Sequence, residues 1–306
     1  MKLNAFSPVR NALVTFSAIF LLGSMSNLAA APLVGLTTGN RLVSFDSATP
    51  GTIFADVAVS GLGTGQGLVG IDFRPADGML IGLARDSSGQ AQVYSLNVLT
   101  GAATALSAVF ALPGSAFGVD FNPVPNAFRI VSDFEANMRI TAGGAGTVNT
   151  DTSLTRTSGV ADPTLQVTGA AYSNNNPGGA GGQTTLYVID SASGNLYTQG
   201  TVNFPGSSTS PNTGLLFLVG SLGLGSGLTD RVGFDIRNTG EAFLSLGNSL
   251  YSINVSSGQT SLLGSIGTAG SVTDITASPL PEPSTLVLTS LALLGATAFR
   301  KKLLKR

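Results

Sequence analysis

Gly70-Ile71-Asp72-Phe73-Arg74-Pro75 and Gly118-Val119-Asp120-Phe121-Asn122-Pro123 are two copies of one phrase, and Gly233-Phe234-Asp235-Ile236 is a third. A weaker copy, Gly169-Ala170-Ala171-Tyr172, lies between them. The successive glycines are 48, 51 and 64 residues apart. Self-similarity at a period of this size marks a chain of repeated supersecondary units. The longest interval holds an insertion rich in Gly, Ser, Pro and Asn, from Pro205 to Gly214.

Outward from each phrase the same series recurs. After Gly70 come an apolar run, Met79 to Ala84, a turn at Asp86-Ser87-Ser88-Gly89, and the run Gln92 to Leu96. A second turn, Asn97 to Gly101, leads to Ala103 to Val109. After Gly233 the equivalents are Ala242 to Leu246, Leu250 to Ile253, the turn Asn254 to Gly258, and Thr260 to Ile266. Runs of five to seven residues joined by Gly with Asn, Asp or Ser read as strands and tight turns. Four short strands per unit predict an all-β, β-propeller-like fold. The region from Leu33 supplies three strands, Leu33 to Leu36, Arg41 to Phe45 and Ile53 to Val59. Its missing member is Val272 to Thr276, at the far end of the domain. A blade built from both ends closes the ring and removes open sheet edges. Five blades are expected, within residues 32–278. An open sandwich or a solenoid is the competing arrangement.

The ends of the chain differ from this body. Lys2 and Arg10 precede an apolar run, Ala12 to Leu22, and the small-residue cluster Ala29-Ala30-Ala31. That order predicts a signal peptide over residues 1–30, with its helix removed by a cut after Ala29 or Ala30. A buried core helix is the alternative. At the other end, Pro281-Glu282-Pro283 precedes an apolar stretch, Thr285 to Phe299, and a basic cluster of Arg300, Lys301, Lys302, Lys305 and Arg306. The stretch is short for a membrane helix, but snorkelling basic side chains extend its reach. The basic end stays cytoplasmic and leaves the body outside.

Residues 281–306 resemble the PEP-CTERM sorting signal of Gram-negative, biofilm-forming bacteria. The three parts, Pro-Glu-Pro, apolar span and basic cluster, stand in the family's order. The resemblance implies recognition and cleavage by exosortase, so that the transmembrane helix is a transient anchor; a permanent tail anchor is the alternative. The body also resembles a domain-of-unknown-function family of exported bacterial proteins. Gly70 to Pro75 and Gly118 to Pro123 carry that likeness, which implies the fold and no activity.

Composition excludes several chemistries. The chain has no His and no Cys. There is therefore no Ser-His-Asp triad, no Cys nucleophile, no His-ligated zinc and no disulfide. Between Pro32 and Pro281, eight Arg and no Lys stand against fifteen Asp and Glu, a net charge of −7. An acidic body argues against nucleic acid as a partner. The Gly-rich stretch Gly178 to Gly182 lacks the Lys of a phosphate loop. Asp190 to Asn195 has some likeness to a Ca²⁺ loop but reads as a turn. Glu135 and Glu241 are the only Glu residues of the body, and Asp133-Phe134-Glu135 reads as an exposed turn rather than half of a glycosidase pair. Tyr94, Tyr187, Tyr197 and Tyr251 fall in expected strands and are assigned to packing.

The repeated Asp is the main candidate site. Asp72, Asp120 and Asp235 share one place in the first strand of three blades, Asp274 fills it in the closing strand, and Ala171 replaces it in the fourth. First strands line a propeller's channel, so the four carboxyls converge. They would either accept backbone N–H groups and lock blade to blade, the preferred reading, or hold Ca²⁺. Arg74 and Arg237, two residues beyond their Asp, are expected to pair with carboxylates. No catalytic residues are assigned. The expected function is an exported binding or structural module of the cell surface or biofilm matrix, with exopolysaccharide or envelope proteins as partners. The alternative is a carboxylate- or calcium-dependent hydrolase or lyase acting on extracellular glycans.

Overall fold

The structure, a computed structural model, describes residues 30–157, 160–206 and 209–279. The expected signal peptide and its helix, the Pro281-Glu282-Pro283 motif, the expected C-terminal transmembrane helix and the basic cluster fall on residues outside those described. Among the described residues no helix is long and apolar enough to cross a membrane.

Five antiparallel sheets, one per sequence unit, form a five-bladed β-propeller. The first blade contains β1 (Pro32–Thr37), β2 (Arg41–Asp46) and β3 (Ile53–Ala58). The second contains β4 (Gly67–Phe73), β5 (Leu80–Arg85), β6 (Gln90–Leu96), β7 (Ala103–Ala105) and β8 (Phe110–Ala111). The third is β9 (Phe117–Asn122), β10 (Ala127–Ser132), β11 (Asn137–Ile140) and β12 (Val148–Thr150). The fourth is β13 (Val167–Tyr172), β14 (Thr184–Asp190), β15 (Asn195–Phe204) and β16 (Leu216–Ser221). The fifth is β17 (Val232–Ile236), β18 (Ala242–Leu246), β19 (Ser249–Ile253) and β20 (Thr260–Ser265). The last strand, β21 (Val272–Ala277), pairs antiparallel with β1, with Leu33 opposite Ala277 and Gly35 opposite Ile275. The expected closing strand is therefore in place.

Each repeat feature has a local cause. In the turn after β6, the Asn97 side chain accepts the N–H groups of Leu99 and Thr100, and Gly101 takes the positive φ (72°) that lets its N–H return to Asn97 O. The Asn254–Gly258 turn repeats this, with φ 82° at Gly258. Asp190 to Gly194 is the same device, so the segment with some likeness to a Ca²⁺ loop is a hairpin turn. One expected strand is broken. Ala103 to Val109 pairs only as β7, and pairing with β6 resumes at β8. Ser107 interrupts it: its Oγ accepts the Val93 N–H at 3.0 Å, in competition with the ladder.

The innermost strands β21, β4, β9, β13 and β17 neighbour one another in a closed cycle. The Gly of each phrase permits this approach. A Cβ at Gly118 would sit 2.6 Å from Gly169 C, and one at Gly233 would sit 2.5 Å from Ile275 N. The core falls into five clusters, one for each pair of adjacent blades. Val34, Leu36, Ile71 and Phe73 join the first two blades, and Phe45, Phe243, Leu250 and Ile275 join the last to the first. Residues alternate along a strand, so Ile71 and Phe73 pack back on one neighbour while Gly70 and Asp72 face the other.

Candidate axial carboxyl cluster

Asp72, Asp120, Asp235 and Asp274 converge at the axis and are 1–6% exposed. Oxygens of the first three lie within 4.8 Å of one another. Three of the four reach across a blade boundary to a backbone donor. Asp274 accepts the Ile71 N–H at 2.8 Å, Asp72 the Phe121 N–H at 2.9 Å, and Asp235 the Ala277 N–H at 2.6 Å. Asp274 and Asp235 also accept the N–H of the residue that follows each of them. Carboxyl-to-backbone hydrogen bonds thus cross three of the five boundaries.

Asp120 differs. Neither of its oxygens has a hydrogen-bond partner among the described residues. The Tyr172 backbone N–H leans towards it and weakly favours its charge. Burial pushes Asp120 well above the usual carboxylate range, and the charges of Asp72 and Asp235 push it further. Burial likewise raises Asp72, with Asp235 adding to the rise, and burial raises Asp274. Asp235 is pushed up to about 6 by burial, against the opposing pull of the Ala277 N–H and the Thr276 hydroxyl. Desolvation, rather than mutual repulsion, is the first cause at every member.

Thr276 bridges two of the carboxyls. Its Oγ1 accepts the Phe73 N–H at 3.3 Å and lies 2.9 Å from Asp72 Oδ1 and 3.0 Å from Asp235 Oδ2. A hydroxyl has one proton to donate. It serves one of the two carboxyl oxygens fully, and a proton on the other, donated back to the hydroxyl, would complete the set, in agreement with the raised pKa values.

A divalent cation fits this donor set less well. Ca²⁺ takes about six to eight oxygens. Both oxygens of Asp72, Asp235 and Asp274 are already engaged by N–H or hydroxyl groups, which leaves only the pair on Asp120 unengaged.

The other sequence candidates are engaged locally. Arg74 pairs with Asp77, and Arg237 lies 3.6 Å from Glu241. Glu135 accepts the Asp162 N–H, and Phe134 in its turn is exposed. Tyr94 and Tyr197 are buried, and Tyr187 and Tyr251 pack against the core between the fourth and fifth blades.

Sequence reasoning missed a second polar centre. Arg129, on β10, is 3% exposed. It donates to Asn137 Oδ1 at 2.6 Å, Asp151 Oδ2 at 2.8 Å, Asn212 Oδ1 at 2.6 Å and the Tyr172 hydroxyl at 3.3 Å. Burial opposes its charge, and Tyr172 and Asp151 more than offset that opposition. Two of these partners belong to the third blade and two to the fourth, so one guanidinium clamps the boundary.

Solved structures align with the chain at low identity. A chain of a nidogen/laminin complex aligns with TM-score 0.47 and 10% identity, over 81% of this chain and 98% of that one. A protein from Lactobacillus plantarum aligns with TM-score 0.42 and 14% identity, over 77% of this chain and 66% of its own. A protein of unknown function from Bacteroides thetaiotaomicron aligns with TM-score 0.42 and 13% identity, over 75% and 56%. No curated protein matches the chain. The family model of the domain of unknown function DUF4394 matches residues 41–276, from the second strand of the first blade to the closing strand, and the chain belongs to that family.

Proposed function

We propose that the protein is an exported, non-catalytic binding and structural module of the cell envelope or biofilm matrix of a Gram-negative bacterium. The observation that carries the non-catalytic part is the state of the axial carboxyls. They are the best acid–base candidates in a chain without His or Cys, yet they are buried and mostly engaged by backbone donors. Side chains only 1–6% exposed offer a glycan almost no carboxyl surface. Export is supported by the leader pattern over residues 1–30 and by the tail resembling PEP-CTERM. Exosortase is the processing partner, and the C-terminal helix is a transient membrane anchor. Exopolysaccharide or another envelope protein is the ligand, and the net charge of −7 over the body disfavours nucleic acid.

Mass spectrometry of the protein recovered from its own envelope tests the export reading. The expected mature chain starts at Ala30 or Ala31 and ends close to Pro281-Glu282-Pro283. A full-length chain in the cytoplasm overturns it. Retention of exopolysaccharide by the immobilised protein tests the binding reading, and no retention of any envelope polysaccharide or protein counts against it.

The second reading is a calcium-dependent hydrolase or lyase. The partnerless oxygens of Asp120 beside Asp72 and Asp235 favour it. A cation bound only by the folded state raises the melting temperature by mass action. The expected result is equal melting in millimolar Ca²⁺ and in EDTA. A clear rise with Ca²⁺, abolished in Asp120→Asn, replaces the protons by a cation and revives the enzyme reading.

A further inference from the structure

The insertion that lengthens one repeat contributes Pro205, Ser210, Pro211 and Asn212 to the lining of a cavity. With Phe204 at the end of β15 they border a space of about 270 Å³ between the third and fourth blades. Phe204, Pro205 and Pro211 line it from the fourth blade, and Val124 and Pro125 of the β9–β10 turn line it from the third. Arg129, Arg139 and the Tyr172 ring also line it. Flat apolar walls with a few converging polar groups are the usual make-up of a small-molecule site. The volume is below the range of about 300–1,000 Å³ typical of drug-sized ligands and suits a single sugar ring.

The charge of the cavity is opposite to that of the body. Arg41, Arg74, Arg156 and Arg237 each face an acid of their own. Asp151 is shared by two arginines, Arg129 at 2.8 Å and Arg139 at 3.0 Å. One positive charge is therefore in excess here. Arg129 is nearly saturated by its four partners. Arg139 is not: its Nε donates to both Asp151 oxygens, its Nη groups have no hydrogen bond among the described residues, and its side chain is 32% exposed. A guanidinium fork held at its base, with two terminal donors left over, matches a carboxylate in geometry as well as charge.

We propose that this cavity binds a carboxylate-bearing sugar, a hexuronate unit of an acidic glycan, with its carboxylate on Arg139 and its ring between the proline and phenylalanine walls. The inference deepens the binding-module reading and rests on it for the source of the sugar.

Titration of the purified protein with glucuronate, glucose and inorganic phosphate, followed by calorimetry or NMR, tests it. Saturable binding of glucuronate is expected, with glucose and phosphate at least tenfold weaker. Arg139→Gln is expected to weaken glucuronate at least tenfold with only a small drop in melting temperature, because Asp151 keeps Arg129; Arg139→Lys falls between the two. Equal binding of glucose and glucuronate, phosphate as tight as glucuronate, or an unaffected Arg139→Gln variant each overturns the site. The two readings fail separately. Polysaccharide retention without glucuronate binding removes the cavity inference alone, and glucuronate binding without retention of any envelope polymer removes the module reading alone.

Discussion

Arg129→Met is expected to lower the unfolding free energy by about 3–5 kcal/mol, the range for breaking one side of a buried ion pair. The variant fills much the same volume, so the loss comes from the partners left behind. Asp151 keeps only the half-exposed Arg139, and Asn137, Asn212 and Tyr172 lose a buried donor. Each abandoned buried polar group costs about 1–3 kcal/mol before relaxation. Arg129→Lys is expected to recover little, because an ammonium cannot span four acceptors in a plane. Arg139→Gln, at the rim, is expected to cost under about 1 kcal/mol. Urea unfolding followed by far-ultraviolet circular dichroism checks all three, since the chain has no Trp to report by fluorescence. A loss below about 1 kcal/mol for Arg129→Met would mean that the apolar cluster of Val131, Leu154, Tyr172 and Leu186 holds the boundary by itself.

The contrast between the two polar centres explains what a reader of the chain can and cannot see. The Gly-x-Asp phrase is legible because both constraints act within one strand and recur. The Gly must let two innermost strands approach, and the Asp two residues on must reach the neighbour's backbone. Ring closure is legible because three strands at one end need a fourth at the other. Arg129 is a charge inside the run Ala127-Phe128-Arg129-Ile130-Val131-Ser132, all of it buried. That placement could have marked it, but its partners at 137, 151, 172 and 212 share no period and meet only when two blades pack. The insertion has the same history: its composition reads as a loop, and only the fold sets it over Arg139. The break between β7 and β8 depends on one hydroxyl, Ser107, competing for one N–H, which an apolar pattern does not encode. Thr276 is similar, since its role follows from two carboxyls approaching it from two other blades.

The stability of the domain is expected to be greatest near about pH 4 and to fall as pH rises towards 8. The sign follows from linkage. Folded Asp72, Asp120, Asp235 and Asp274 hold protons at pH values where the unfolded chain has released them, because burial raises each of them. A raised folded pKa gives stability that is complete below the unfolded value, 3.8, and is lost as pH climbs through the folded one. For Asp235, moved from 3.8 to about 6, the linked loss is of the order of 3 kcal/mol at about 1.4 kcal/mol per pH unit. Arg237 opposes the rise at Asp235, and the other three carboxyls extend the loss to higher pH. Below about pH 4 the opposite group takes over. Asp162, held down to about 2 by Arg156, and Asp77, held down by Arg74, lose their pairs as they protonate. Asp120→Asn separates this account from plain packing. The amide is neutral at every pH, and its oxygen can keep the weak pull of the Tyr172 N–H, the one donor near Asp120 among the described residues. It is expected to raise the melting temperature at pH 8, to leave it almost unchanged near pH 4.5, and to flatten the slope by relieving Asp72 and Asp235. Asp274→Asn is expected to lower the melting temperature at both pH values, because both of its oxygens accept backbone N–H groups and an amide nitrogen would face one of them. That mismatch costs about 1–3 kcal/mol. A melting temperature that stays level from pH 5 to 8 contradicts proton sharing. If it then rises with added Ca²⁺, the charge that neutralises the axis belongs to a bound cation, and the blades are tied together by a metal instead of by protons.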